Sequence, residues 1–235
     1  VTGVRTKEDR ILGLETTAGF LGAKVIINAA GVYTDILAAM AGVERYDILP
    51  RKGEYLLLDR ELDGRVRHTV FPLPTPVSKG TLVLPTVEGN ILAGPTAVDV
   101  LDREDVATTP EGLAEVRAGA LRLFPNLPLN RVITSFAGIR AVPGDGDFVI
   151  RSSARVWGWI DAGGIQSPGL TAAPAIGEKL AGLTAGLIPC QEKQEYGTRR
   201  SVLRLRELPL GERTSWIQRN PLYGRVICRC EGVSE

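Results

Sequence analysis

The stretch that most restricts the fold is Asp161-Ala-Gly-Gly-Ile-Gln-Ser-Pro-Gly-Leu-Thr171, where a strand-like run ends in a glycine-rich loop that feeds a helix. A helix start leaves backbone N–H groups unpaired and carries partial positive charge, so the amides of Gly169, Leu170 and Thr171 form a seat for an anion. Glycines at 163, 164 and 169 remove the side chains that would hold a planar ring or a phosphate away from the backbone. An ordinary, well-capped strand-to-helix turn is written with the same residues, and composition alone does not separate the two readings.

The segments around this loop alternate between two textures. Val4-Arg5 and residues 11–14 flank the charged turn Lys7-Glu8-Asp9-Arg10 and read as a hairpin. Lys24-Val25-Ile26-Ile27-Asn28 is a short β-branched run of the kind buried in a parallel sheet. Ala29-Ala30-Gly31 ends it, and Thr34 is placed to cap a helix through about Gly42 with Ile36, Leu37 and Met40 inward. No second strand–turn–helix unit precedes this one, so the chain is expected to start inside a domain. From Arg51 the runs at 54–59, 81–85 and 90–93, broken by Gly, Pro and Asn, predict an antiparallel sheet. Residues 110–124 predict an amphipathic helix with Leu113, Val116, Ala120, Leu121 and Phe124 on one face. Strands are expected at 133–142, 148–151 and 156–161, the first two joined by the turn at 143–146. The helix after the glycine loop should end near Gly186, with Leu170, Ala173, Ile176, Leu180, Leu183 and Leu187 as its apolar stripe. Residues 189–223 are polar with weak periodicity and read as a connector.

Several function classes are excluded or disfavoured at once. Twenty-eight Lys and Arg nearly cancel 27 Asp and Glu, so no broad positive field exists to draw in nucleic acid. Every apolar stretch is interrupted well short of the roughly 18 residues a membrane span needs, which predicts no transmembrane segment. One histidine, His68, gives no basis for a Ser/His/Asp or Cys/His arrangement. Gly144-Asp-Gly-Asp-Phe-Val has Val149 where a G-x-G-x-x-G fingerprint needs its last glycine. The positive candidates are fewer. Arg140 lies in the mostly apolar Ser-Phe-Ala-Gly-Ile-Arg-Ala-Val, where a guanidinium is awkward without an anionic partner: a substrate carboxylate or phosphate, an internal salt bridge, or a strand end pointing into solvent are the readings open to it. Ala30 and Gly31 allow close approach to the backbone. Cys228-Arg-Cys230 places two thiols at a spacing suited to zinc or an iron–sulfur cluster, although two sulfurs complete neither site.

In this order the pieces resemble the D-amino-acid-oxidase-like flavoenzymes, in particular the branch of anaerobic-type glycerol-3-phosphate dehydrogenases and L-2-hydroxyglutarate oxidases. Val25-Ile-Ile-Asn-Ala-Ala-Gly31 is similar to the strand and turn that pass near FAD in that family. Arg51-Lys-Gly-Glu-Tyr55, Gly89-Asn-Ile-Leu-Ala-Gly-Pro-Thr-Ala97 and Ala137-Gly-Ile-Arg140 resemble its substrate-domain strands. Gly163-Gly-Ile-Gln-Ser-Pro-Gly-Leu-Thr171 resembles its flavin-ring loop, and Tyr223-Gly-Arg-Val-Ile-Cys-Arg-Cys-Glu231 the start of a ferredoxin-like cluster domain fused to some members.

The resemblance implies a mixed α+β and α/β fold: a partial FAD-binding Rossmann-like domain (1–43 and 136–188) and an antiparallel-sheet substrate domain (44–135), then a connector (189–223) and the start of an iron–sulfur domain (224–235). It implies hydride transfer from a small anionic alcohol, glycerol 3-phosphate first, to FAD. Arg140 and Tyr55 would bind substrate; Ala30, Gly31, Gly163, Gly164, Ile165, Gly169, Leu170 and Thr171 would hold the flavin; Cys228 and Cys230 would serve a 2Fe-2S cluster. It also implies a quinone or redox-protein acceptor and a cytoplasmic location, peripheral to the membrane's inner face. The alternatives are an FAD-dependent 2-hydroxyacid oxidase, to whose family members Gly53-Glu54-Tyr55 is similar, or an amino-acid oxidase, and a non-catalytic electron-transfer or scaffold subunit. With the dinucleotide fingerprint missing, the chain by itself is expected to be inactive and to hold little FAD.

Overall fold

The computed structural model describes residues 1–73, 80–191, 193, 197, 203–228 and 233–235, in two units, Val1–Cys190 and Gln191–Glu235. In the first unit the expected hairpin is β1 (Gly3–Lys7) and β2 (Arg10–Thr16). Glu8 and Asp9 close it at φ 49° and 57°, the left-handed pair that a tight two-residue hairpin turn calls for. A third strand, β3 (Gly19–Gly22), pairs with β2. Its Gly-Phe-Leu-Gly sequence carries no alternation from which it could be read.

β4 (Ile26–Asn28) and α1 (Thr34–Ala41) form the first strand–turn–helix unit. The spacing predicts Ile36, Leu37 and Met40 inward, but the structure buries Thr34, Ala38 and Ala41 and leaves Ile36 and Met40 exposed. Leu37 does pack against the core, and a 3-10 turn at Gly31–Tyr33 makes Thr34 the first helical residue rather than the cap. Next come β5 (Ile48–Leu58), β6 (Leu82–Pro85), β7 (Ile91–Gly94) and β8 (Val98–Asp99), the last a two-residue strand that periodicity did not signal. α2 (Pro110–Leu123), β9 (Val132–Pro143), β10 (Val149–Ser152), β11 (Trp159–Gly163) and α3 (Gly169–Ala185) complete the unit.

Two sheets divide these strands. β4 lies parallel to β11, and β10 pairs antiparallel with β11's other edge. Alternation along β4 buries Ile26 and Asn28 on one face of this sheet and leaves Ile27 exposed on the other. The second sheet, of order β6-β7-β5-β8, is antiparallel, and β9 pairs with β5 along its whole length. β9 and β10, adjacent in sequence through the turn at 143–146, belong to different sheets.

α2 covers one face of the antiparallel sheet. Val116 and Ala120 pack with Leu56, Leu58, Val83 and Ile91, whereas Leu121 points outward. Gly112 admits the buried carboxylate of Glu54, which accepts hydrogen bonds from the Thr109 amide (2.8 Å) and hydroxyl (2.8 Å) at the helix start. The expected apolar stripe of α3 is only partly covered: Gly169 alone is buried, Ile176, Leu180 and Leu183 are half-buried, and Leu170 is 93% exposed. In the second unit, residues too polar to signal a helix contain α4 (Leu210–Arg219), whose Trp216 meets Tyr223 edge-on at 5.9 Å. Strands β12 (Val226–Cys228) and β13 (Val233–Ser234) pair after it.

Candidate active site

Strand alternation gives the antiparallel sheet two chemically distinct faces. Glu54, Leu56 and Leu58 turn toward α2. Arg51, Gly53 and Tyr55 turn the other way, and the β5–β9 register sets them opposite Arg140, Gly138 and Phe136. Tyr55 and Phe136 stack with ring centroids 5.2 Å apart and planes 12° from parallel. Arg140 Nη2 donates to the Thr96 carbonyl (2.6 Å), a reach that depends on Gly53, where a Cβ would come within 3.2 Å of that nitrogen.

The rest of the Arg140 guanidinium is poorly served. Its Nε is enclosed and has no acceptor among the described residues. Burial holds its pKa below the usual arginine value, and nearby Arg51 adds to the effect, against the pull of Tyr55 and Asp99. Arg51 itself donates to Asp99 through Nε and Nη2 (2.5 and 3.0 Å). Arg140 is thus a half-buried cation that no carboxylate neutralises among the described residues, a setting that favours an anionic ligand.

A cavity of about 630 Å³ adjoins it, lined by Arg140 with Ile139 and Ala141 on β9, by Gly31 and Val32 before α1, and by the loop from Ile165 to Thr171. Gly31, Arg140, Ile165, Gly169, Leu170 and Thr171, far apart in sequence, therefore share one site. Within the seat itself the Gly169 amide is already engaged by the Gln166 carbonyl (2.5 Å). The Leu170 and Thr171 amides, in the first turn and without intrahelical acceptors, are the ones left to face an anion.

The other expected residues lie elsewhere. Tyr55 stands on the sheet face beside Arg140, close enough for that charge to oppose the rise in phenol pKa that burial causes. Ala30 lines a separate recess of about 290 Å³ with Ile27, Leu37 and Trp159. Gly163 and Gly164 have packing reasons of their own: a Cβ at 163 would meet the Tyr46 ring (2.9 Å) and Thr34 Oγ1 (3.0 Å), and at 164, where φ is 64°, Pro143 (2.6 Å). Among the described residues no group of three or more His, Cys, Asp or Glu is placed to hold a metal. Cys190 is an exposed free thiol, and Cys230 and the side chain of Cys228 lie outside the described residues. His68 is exposed.

Sequence reading missed Val32, Gln166 and Ser167 as cavity walls and missed a polar knot beneath them. Asp161, fully buried, accepts at Oδ1 from Asn28 Nδ2 (3.0 Å), Tyr46 Oη (3.0 Å) and Trp159 Nε1 (2.9 Å). Burial raises its pKa despite those three donors. An Asp beginning a glycine loop was the available signal.

Residues 1–183 match the family model described as FAD dependent oxidoreductase, DAO. The chain belongs to this family. It is 38% identical over 214 residues to a glycerol 3-phosphate dehydrogenase of Caloramator mitchellensis, covering 90% of this chain and 45% of that protein. It is 37% identical over 164 residues to a glycerol 3-phosphate oxidase of Mycoplasma pneumoniae, covering 69% and 42%. The dithionite-reduced, FAD-bound L-α-glycerophosphate oxidase of Mycoplasma pneumoniae superposes with a TM-score of 0.69 at 33% identity, covering 78% of this chain and 49% of the other. The chain thus spans about half the length of the relatives it matches. As a member of an FAD-dependent family it has a site that suits part of that cofactor: a cavity sized for a ring system, main-chain walls at Gly31 and Gly169, and two first-turn amides for an electron-rich edge. No helix among the described residues is long and apolar enough to cross a membrane.

Proposed function

We propose that this chain forms the substrate side and the flavin-ring side of an enzyme that oxidises a small anionic alcohol, glycerol 3-phosphate, with FAD as the immediate acceptor. The observation that carries the reading is the half-buried Arg140 guanidinium, bonded to the Thr96 carbonyl and to no carboxylate among the described residues, lining the same cavity as the N-terminus of α3. The names of the relatives favour glycerol 3-phosphate over other small anions.

When bound, FAD supplies the electron chemistry by accepting hydride from the substrate carbon. The chain's own residues do the rest. Arg140 grips the anionic end of the substrate, and the Tyr55–Phe136 stack walls the space beside it. The amides of Leu170 and Thr171 stabilise negative charge that develops on the cavity's opposite side, as an oxyanion hole does.

The test is anaerobic reduction of the FAD-loaded protein, followed as loss of the flavin band near about 450 nm. Glycerol 3-phosphate should bleach it in preference to L-2-hydroxyglutarate and glycine. Arg140→Ala should raise KM by about ten- to a hundredfold, the worth of roughly 1.5–3 kcal/mol for a charged hydrogen-bonded contact. Bleaching by L-2-hydroxyglutarate alone would move the substrate to the 2-hydroxyacids; an unchanged KM in Arg140→Ala would remove that residue from binding.

A further inference from the structure

The segment between β8 and α2 crosses from the antiparallel sheet to the turn that opens α1, and it is fastened at close intervals. Asp105 pairs with the buried Lys52 (2.7 Å), and the Tyr33 hydroxyl donates to Glu104. Arg103, at the centre, makes a bidentate bond to Asp35 (2.6 and 2.8 Å) and also donates to the Val32 carbonyl. Asp35 in turn accepts from the Ile48 amide (3.2 Å), the first residue of β5. Both side chains of the pair are largely enclosed, 20% and 12% exposed.

What this pair holds matters more than that it is an ion pair. Val32 is a cavity wall, and β5 is the strand against which β9 and Arg140 are registered. A single planar guanidinium therefore spans the Val32 carbonyl on the turn and both oxygens of Asp35 in the first turn of α1, while that carboxylate also reaches the sheet. We propose that Arg103 is a positioning residue that sets the distance between the Gly31–Val32 wall and the sheet carrying Arg140. The inference rests on the proposed flavin and substrate roles of that cavity for its functional consequence, but its structural half does not.

Arg103→Ala and Arg103→Lys are to be compared with wild type and with Arg5→Ala, whose partner Glu15 lies on the exposed hairpin. Hydrogen exchange at the amides of residues 31–36, measured without ligand, should accelerate by about tenfold or more in Arg103→Ala, with the amides of α2 unchanged. The dissociation constant for FAD should rise by about the same factor. Lysine keeps the charge but not the planar fork, so Arg103→Lys should recover the thermal midpoint and leave both the exchange and the FAD affinity impaired. A merely stabilising ion pair predicts that all three recover together. Unchanged exchange in Arg103→Ala, or full recovery by lysine, overturns the proposal. If the wild-type chain takes up too little flavin to titrate, in keeping with its missing dinucleotide fingerprint, the exchange result alone decides this proposal.

Discussion

Replacing Glu54 separates two roles for the Gly53-Glu54-Tyr55 triplet, because the structure places Glu54 on the α2 face and away from the cavity. The carboxylate is 1% exposed and accepts from the Thr109 amide and hydroxyl at 2.8 Å each. Alanine leaves both donors of the half-buried Thr109 without that acceptor, at about 1 kcal/mol or more apiece, and removes a favourable charge at a helix N-terminus worth up to about 2 kcal/mol. Relief of the carboxylate's own desolvation offsets part of this, so the expected loss is about 3 kcal/mol. For a unit of this size that lowers the thermal midpoint by roughly 6–12 °C. Glu54→Gln keeps the volume and one acceptor and should lose about half as much. Gly112→Ala probes the contact from the helix, since a Cβ there would collide with the Glu54 carboxylate, and should destabilise comparably. Urea unfolding of the three variants measures the effect, with KM for glycerol 3-phosphate determined on the FAD-loaded forms. A loss below about 1 kcal/mol in Glu54→Ala, or a KM shift without a stability loss, would refute the assignment of Glu54 to the helix cap.

Asp161→Asn should change the pH dependence of stability. Burial raises the native pKa of Asp161, so its contribution is fully present below the unfolded value of about 3.9 and is lost as pH rises through the native one. The wild-type advantage over Asp161→Asn in urea midpoint should therefore shrink with rising pH. Asp35 acts in the opposite sense. Burial works to raise its pKa, but Arg103 and the Ile48 and Ile36 amides outweigh it, so its stabilisation is present above about 3.9 and fades as pH falls through its lowered native value. Leu170→Asp, at a fully solvated position in the first turn of α3, should leave the fold as stable or slightly more so, by about 0.5 kcal/mol, while weakening FAD binding by placing like charge beside the anion seat. Equal FAD affinity in Leu170→Asp would argue against any anionic group there.

How much of this could be read from residues alone depends on whether the determinant was local. The glycine loop, its helix and Arg140 were legible because each is a conflict visible within ten residues: glycines where a helix should begin, a cation inside an apolar strand. The turn at Gly31 and the loop at 165–171 were each visible, but their convergence on one cavity was not, because it depends on the parallel pairing of β4 with β11, which are more than 130 residues apart. The same non-locality explains the failures. Gly163 and Gly164 look like ligand-facing glycines in sequence, but Tyr46, Thr34 and Pro143, all distant in the chain, give each a packing reason that residues alone could not reveal. Glu54 looks like part of a substrate motif until a helix 55 residues further on claims it. Arg103 offered no signal at all, since its acceptors lie about 70 residues upstream on the turn that opens α1. The loops here are therefore poor evidence of function when read singly, because the neighbours that constrain them come from distant parts of the chain.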